Sequence, residues 1–497
     1  METDQGSYLK LYFTKNTKAA SLAAFRVLFG AIMCISIIRF WSKGWIEEVY
    51  LIPQFHFKYA GFEWVALNGT WVYLLFVLCG VSALFVSLGF KYRLSIIVFF
   101  LSFTYIELLE KTTYLNHYYF ISVISFILIF LPAHVSYSID AYRNNTIRFE
   151  YIPKWTVDIL KLLLTIVYLY AGLAKLNSDW LFRAMPLALW LPTKSDIPII
   201  GSIMHKEWLH YFFSWTGALY DLTIAFLLLY SRTRILAFVA VVVFHILTAM
   251  LFPIGMFPYI MIVCTLIFFN PCIHEKAFSF LGTIFKWNNT IFQNGKQLSS
   301  DTFTKITKGI LLIFILVQLL LPFRYLLHNN NVYWTEQGYR FSWRVMLMEK
   351  TGNANFKIYI KNSSATAAAS GSWASYIAGS TLSYDTDFNI TNNFPGANGW
   401  MPFAFSTPFT YTGGALEVAV DWDCSQVSTP AFSGDGALKW RWEATANTSV
   451  VKKTSSSSPS TNVTDLKSER ANIQLVYASA AVPDSVDITF LVNTANI

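Results

Sequence analysis

Lys175 stands just beyond a long apolar run that begins near Trp155, and Ala171-Gly172 precede it. A charged amine carried into or near hydrocarbon costs several kcal/mol unless it is paired, reaches the headgroups or gives up its proton. Two chemistries follow. A lysine at a helix end extends its amine to the interface and does nothing more. A lysine that is partly desolvated becomes neutral and serves as a base. Other polar groups in apolar surroundings bear on the choice. His245 lies inside Val241-Val242-Val243-Phe244-His245-Ile246-Leu247-Thr248, a run with no charge beyond its opening Arg234. Histidines at such depth face a cavity or a polar partner. Asp221, after Tyr220, is another ionisable group that wants a partner. Glu107, Glu110 and Lys111 close one apolar run, and Asn116-His117-Tyr118-Tyr119 open the next. Phe252-Pro253-Ile254-Gly255-Met256-Phe257-Pro258-Tyr259 interrupts a helix at membrane depth, which is tolerated only where protein or water covers the backbone.

The elements that must position these groups are membrane helices. With 55% hydrophobic and 13% charged residues, the 497-residue chain is not an ordinary soluble protein. It has two regimes. Up to Asn362 it carries 31 Lys+Arg against 18 Asp+Glu, and from Ser363 onward 6 against 11. The first regime has long apolar runs, and the second is rich in Ser, Thr, Ala, Gly and Asn. The basic excess falls mostly in loops, where it sets topology and does not point to nucleic acid. The pattern predicts an α-helical multispan membrane domain over 1–362, followed by an all-β, sandwich-like soluble domain over 363–497.

Nine spans are expected: Ala19–Phe40, Thr70–Phe90, Arg93–Leu109, Tyr118–Val135, Trp155–Lys175, Trp215–Tyr230, Arg234–Phe252, Phe257–Phe269 and Ile310–Leu327. The eighth is short, so eight spans are the alternative. The first lacks a cleavage site and reads as an uncleaved helix. With the N-terminus in the cytoplasm, inside segments hold fifteen Lys+Arg and outside segments eight. The positive-inside rule therefore favours a cytoplasmic N-terminus and an external C-terminal domain. On that topology Lys175, His117, His245 and the broken segment converge on one outward-facing cavity.

Three separated stretches, Glu110–Tyr119, Ala171–Trp180 and Phe244-His245 leading to Leu251–Phe257, resemble three motifs of the vitamin K-dependent γ-glutamyl carboxylase family. A fourth, weaker one runs from Tyr333 to Gly338 and through Phe341-Ser342-Trp343 to Met346. Order and spacing agree over roughly residues 8–360. The resemblance implies a reduced vitamin K cofactor (a naphthohydroquinone such as menaquinol), with O2 and CO2 as co-substrates. In this family the lysine, here Lys175, deprotonates the reduced naphthoquinone. Reaction with O2 then yields a base able to remove a γ-proton from a peptide glutamate. CO2 adds to the resulting carbanion, and the quinone leaves as its epoxide. The resemblance makes Lys175 and His117 catalytic, and places Asn116, His117, His245 and Met346 at the cofactor, with His245 in a structural or cavity-lining role. A peptide or protein glutamate is the implied partner, membrane lipid the surroundings, and a bacterial inner membrane the location.

Departures qualify what the resemblance carries. Ala174 stands where the family often has a second lysine, and Phe341 where tyrosine is common. Animal members continue into a long lumenal domain, and here that resemblance is expected to stop near Lys361. Quinol epoxidation without peptide carboxylation is therefore one alternative. Past a Ser/Ala linker, Ser363–Ser370, strands are expected at Ser372–Ile377, Trp400–Phe405, Leu416–Asp421, Leu438–Trp442, Ile473–Ala478 and Val486–Val492. This region resembles β-sandwich modules of secreted bacterial surface proteins, and the change near residue 362 suggests a fusion. Asp421, Asp423 and Asp435 read as turn and edge carboxylates more than as a calcium site. Cys424 has no partner in its own domain, and no metal-ligand spacing occurs. A multispan transporter, with Lys175, His245 and Asp221 as a relay, and a membrane-anchored surface protein are the remaining readings.

Overall fold

The structure, a computed structural model, describes residues 11–347 apart from 54, 67, 68, 199, 288, 289 and 330. Beyond these it describes 353–363, 371–372, 377–389, 400–403, 405–407, 409, 415–423, 439–440, 442–444, 450–452, 462–463, 465–467, 469–471, 473–477 and 486–493. The chain divides into two compact units, Met1–Tyr333 with Gln337–Met348, and Trp334–Glu336 with Glu349–Ile497.

The first unit is helical. Its main helices are α1 (Ala20–Ser42), α2 (Trp71–Leu88), α3 (Tyr92–Leu109), α4 (Asn116–Phe130) and α5 (Trp155–Ala174). They continue with α6 (Glu207–Leu229), α7 (Arg234–Leu251), α8 (Phe257–Thr265), α9 (Pro271–Phe285) and α10 (Lys305–Leu320). Among the described residues seven helices are long and apolar enough to cross a membrane: α1, α2, α3, α5, α6, α7 and Lys305–Leu327. By length and composition that is seven, or eight if the bent pair Phe257–Phe268 and Pro271–Phe285 is one span, against nine expected with eight as the alternative. The expected fourth span ends early. Pro132 disfavours helical backbone at Leu131, which is extended and stops α4 after 15 residues. That is about 22 Å of helix against a hydrocarbon core of about 30 Å. The expected eighth is one arm of a bent pair, Phe257–Phe268 and Pro271–Phe285, at 112°. Pro271 opens the second arm, and the Asn270 side chain caps it by accepting from Cys272 N at 3.0 Å.

Short backbone ties gather one end of this unit. Strand β1 (Asn16–Lys18) pairs antiparallel with β2 (Tyr151–Pro153), and Tyr151 bridges Gln297. Lys18 Nζ lies 2.8 Å from Glu275 Oε2. At the same end Arg26, fully buried in α1, donates through Nη2 to the Tyr137 carbonyl. At the start of α3 the Asp140 carboxylate accepts from Lys91 N and Tyr92 N, both at 2.8 Å, where the helix dipole favours an anion. Elsewhere α5 and α6 pack closely. A Cβ on Gly172 would lie 2.8 Å from the Leu222 backbone nitrogen, so only glycine allows this approach.

The second unit contains small sheets. One three-stranded sheet has β3 (Asn353–Ser363) between β4 (Thr381–Asn389) and β6 (Ala415–Asp423). Another places β8 (Val486–Asn493) between β5 (Trp400–Phe403) and β7 (Ile473–Tyr477). The expected strands at 400, 416, 473 and 486 are present; β3 and β4 were not expected. In β3, Ile358 and Ile360 are buried while Lys357, Tyr359 and Lys361 are not, the alternation of a strand with one covered face. Among the described residues the strands of this unit form separate sheets of two to four strands, short of a full sandwich. Asp421 and Asp423 lie in β6. Asp435, Cys424 and positions 364–370 of the expected linker fall outside the described residues.

Candidate active site

Lys175 caps the C-terminal end of α5, and its Nζ lies 2.7 Å from Asp221 Oδ2 on α6. The two side chains are only 8% and 7% exposed, so the lysine does not snorkel. It also donates to the Ala171 carbonyl at 3.3 Å and sits 5.4 Å from the Trp180 ring centre. Sequence places these groups through packing. Gly172 draws α6 in at Leu222, the residue after Asp221, and the pair forms one turn further along α5. Trp180 is fixed by donating Nε1–H to Ser214 O at 2.8 Å, while its backbone N–H is capped by Asn177 Oδ1 at 2.9 Å.

The pair forms part of the wall of a cavity of about 120 Å³. Aromatic rings of Trp180, Trp190, Phe213, Phe244, Phe257 and Trp343 supply much of its lining. Of the residues singled out from sequence, Lys175, Asn116, His245 and Met346 line it. His117 is buried but does not. Its ring packs 4.4 Å from Tyr118 and 5.8 Å from Phe257, and Phe257 is also 5.8 Å from His245. Phe257, the first residue after the Pro253–Met256 break, thus contacts both imidazoles. His245 Nε2 is 3.2 Å from the Tyr168 hydroxyl, and its buried Nδ1 has no partner among the described residues. Asn116 is engaged on both sides of its amide, accepting from Tyr114 Oη at 3.0 Å and donating to Arg344 O at 2.6 Å.

One wall is a strained segment. Phe341, Trp343 and Met346 have φ of 61°, 59° and 52°, left-handed values that cost non-glycine residues about 1–2 kcal/mol each. Aromatic packing holds them there. Tyr119 lies 4.9 Å from Phe341 and 5.0 Å from Trp343, and Tyr114 Oη accepts from Phe341 N at 2.8 Å. Trp343 is 1% exposed, with its Nε1 unpartnered. Arg344 ties the segment to the turn carrying Lys175. It donates to the Tyr333 hydroxyl at 2.9 Å, which in turn donates to Ala174 O at 3.0 Å and accepts from Asn177 Nδ2 at 3.2 Å.

The loop leading to Asn116 is anchored by Glu110. Its Oε2 is 3.1 Å from both His56 Nδ1 and Phe57 N, and its Oε1 accepts from Thr112 N at 2.9 Å and Thr112 Oγ1 at 2.7 Å. Burial alone pushes this carboxyl up, but the bonds from His56, Thr112 and Phe57 outweigh it and hold the group below its ordinary value.

The long apolar helices, with one ionisable pair on the wall of an otherwise apolar cavity, mark a membrane protein. An HTTM domain family model matches residues 14–272, just over half of the chain, and the chain belongs to that family. The lumenal domain of vitamin K-dependent gamma-carboxylase matches residues 303–390. The two matches, in this order, support the vitamin K-dependent carboxylase family, which uses reduced vitamin K, O2 and CO2 and acts on glutamate-containing protein substrates, and they suggest a carboxylase-type function. No solved structure matches the chain. The lumenal match corrects one expectation. It runs past Lys361 and takes in β3 and β4, so the composition change near residue 362 falls inside the matched segment.

The residues present fit a reduced naphthoquinone. The cavity is bounded by aromatic faces suited to a flat ring, and it carries one ionisable pair plus the buried, unpartnered Nδ1 of His245 and Nε1 of Trp343. Two features of this site were not read from sequence: the pairing of Lys175 with Asp221, and the aromatic enclosure by Trp180 and Trp343. Each residue was visible as an oddity in an apolar run, but contact across 46 positions was not.

Proposed function

We propose that the chain is a quinol-dependent membrane carboxylase in which Lys175 takes the hydroxyl proton of a reduced naphthoquinone bound in the cavity. When bound, that cofactor supplies, with O2, the base strength needed to carboxylate a peptide glutamate with CO2. The chain's own part is to hold the ring, move a proton at Lys175 Nζ and keep water out. Asn116, His245 and Met346 line the ring site, and His117 orients it from behind Phe257. The aromatic walls exclude water, which protects strongly basic chemistry. The observation that carries the reading is the buried lysine on the cavity wall, 2.7 Å from a carboxylate. It is tested by quinone epoxide formation in membranes carrying Lys175→Met or the control Lys194→Met. Methionine keeps the apolar stem but accepts no proton. A positioned general base contributes about 10²–10⁴-fold, so Lys175→Met should lose that much and the control nearly nothing. Equal rates would remove the reading. Labelled CO2 and a glutamate peptide in the same assay separate full carboxylation from epoxidation alone.

The proposed placement is a bacterial inner membrane with the N-terminus in the cytoplasm. Parity supports it. The pairing of β1 with β2 requires an even number of crossings between residues 18 and 151, so the short α4 crosses along with α1, α2 and α3. The ties Tyr151–Gln297 and Lys18–Glu275 require the same of α5 to α8. Adding α10 brings the crossings to nine, and residues after Leu327 emerge on the far side.

A further inference from the structure

A lysine held at 2.7 Å by a buried carboxylate is not a free amine, which sits uneasily with a lysine acting alone as base. The pair shares one titrating proton: either ammonium and carboxylate, or amine and carboxylic acid. Both forms are neutral overall, which is the state a low-dielectric cavity favours. A proton taken from a ligand hydroxyl ends in the same place from either form, with ammonium on Lys175 and carboxylic acid on Asp221. We infer that Asp221 is the terminal acceptor of that proton, a positioning residue acting through Lys175; this rests on the proposed encounter of Lys175 with a reduced naphthoquinone.

The step balances without an oxidant. The ligand O–H bond breaks, its electron pair stays on oxygen, and a new N–H bond forms at Lys175 Nζ. One of the existing Nζ protons passes to Asp221 Oδ2. Lysine remains a cation opposite the negative ligand oxygen, so the pair gains +1 as the ligand gains −1 and the cavity stays neutral. A lone amine could also take the proton, but it would lack a fixed direction. Here the bonds to Asp221 Oδ2 and Ala171 O, with the Trp180 ring, fix where Nζ points. Other titratable groups lie near the pair: Tyr220, beside Asp221 on α6, stacks its ring on Phe244 at 4.0 Å. Tyr168 on α5 is joined to His245 on α7, and the Tyr333 hydroxyl is committed to Ala174 O. Asp179 and Arg183, in the turn that follows, pair with each other at 3.3 Å in exposed positions.

Two measurements on the full chain in lipid nanodiscs test this, and neither reads turnover. First, acylation of Lys175 by a small apolar amine reagent is followed across pH by peptide mass spectrometry, without quinone. Removing the carboxylate in Asp221→Asn should lower the pH midpoint of Lys175 labelling by at least one unit, while Lys194 labelling stays put and Asp221→Glu restores the wild-type midpoint. Equal midpoints overturn the inference. Second, menadiol is added without O2 and infrared difference spectra are recorded. A new carboxylic acid C=O band should appear in the wild type and be absent in Lys175→Met; no band in the wild type overturns the inference even if Asp221→Asn fails to fold. Epoxide formation by Asp221→Asn should fall at least tenfold, with the acid limb of its pH profile moved upward. If Lys175→Met remains active, the functional reading itself has failed. If that variant is dead but the midpoints and spectra do not change, only the role of Asp221 has.

Discussion

Arg26 and Lys175, both buried, lie at opposite ends of the helical unit, and they are handled differently. Arg26 has no exposed surface and meets the Tyr137 carbonyl, a neutral acceptor, while its Nε and Nη1 have no partner among the described residues. Lys175 meets the Asp221 carboxylate inside a cavity. Guanidinium does not give up its proton in proteins, so an arginine bonded to a carbonyl can only tie segments together. An ammonium facing a carboxylate can exchange a proton, and a cavity gives the proton somewhere to come from. The end near the N-terminus is built for attachment and the other for chemistry.

The largest effect should separate these two ends directly. Lys175→Met should lower epoxide formation by about 10²–10⁴-fold, whereas Arg26→Met, in protein shown to be folded, should stay within about threefold. An inactive but folded Arg26 variant would break the contrast. Next is Gly172→Ala, where a Cβ would stand 2.8 Å from the Leu222 nitrogen and force α5 and α6 apart. A loss of about 1–3 kcal/mol in stability is expected, seen as a lower thermal midpoint, with about tenfold or more lost in rate because reacting groups separate. Unchanged rate and midpoint would mean that the close approach does not set the Lys175–Asp221 distance. Smaller again is Tyr333→Phe, which removes one hydroxyl from the Ala174–Asn177–Arg344 tie. A loss of about 1 kcal/mol should show as a roughly fivefold fall in rate with quinone binding retained.

The smallest effect concerns acid. Glu110 has its proton affinity lowered on folding, so its bonds contribute stability above the unfolded value, near 4.5, and lose it as pH falls through the lower folded value. Proteolysis of the His56–Lys58 loop by an acid-active protease should be unchanged from pH 8 to 5 and rise only below about pH 4.5. In Glu110→Gln it should already be raised at pH 5.

Much of this arrangement was legible in sequence where one property acted alone. Uninterrupted apolar length gave α1, α2, α3, α5, α7 and α10 within a few residues. Where two properties competed, the reading slipped. Pro132 cut the fourth helix short inside an apolar run, and the polar first turns Glu207–Ser214 hid the start of α6. Helix α9, with Glu275 and Lys276 among its apolar residues, read as loop. Strands β3 and β4 went unread because Lys, Tyr, Asn and Asp alternate with few apolar residues. At the site, Lys175 and His245 were legible as polar groups in an apolar setting, while Asn116 and Met346 came from the family resemblance. The same signal named His117, which packs against Phe257 and not on the cavity lining. Asp221 was seen to want a partner, but which one depends on Gly172, whose missing side chain carries no charge to read.

The pairing of β1 with β2 also constrains how the protein is made. Asn16–Lys18 leave the ribosome long before Tyr151–Pro153, and all of α1 to α4 must enter the membrane in between. At about 5–20 residues per second the first strand waits on the order of ten seconds for its partner. During that interval its backbone groups remain on the side where they were synthesised, and only an even number of helix insertions returns the chain to them. On the proposed topology the small sheet is a check on insertion: a failed crossing at the short α4 would leave Lys18 and Tyr151 on opposite faces, with no pairing to hold the start of α5.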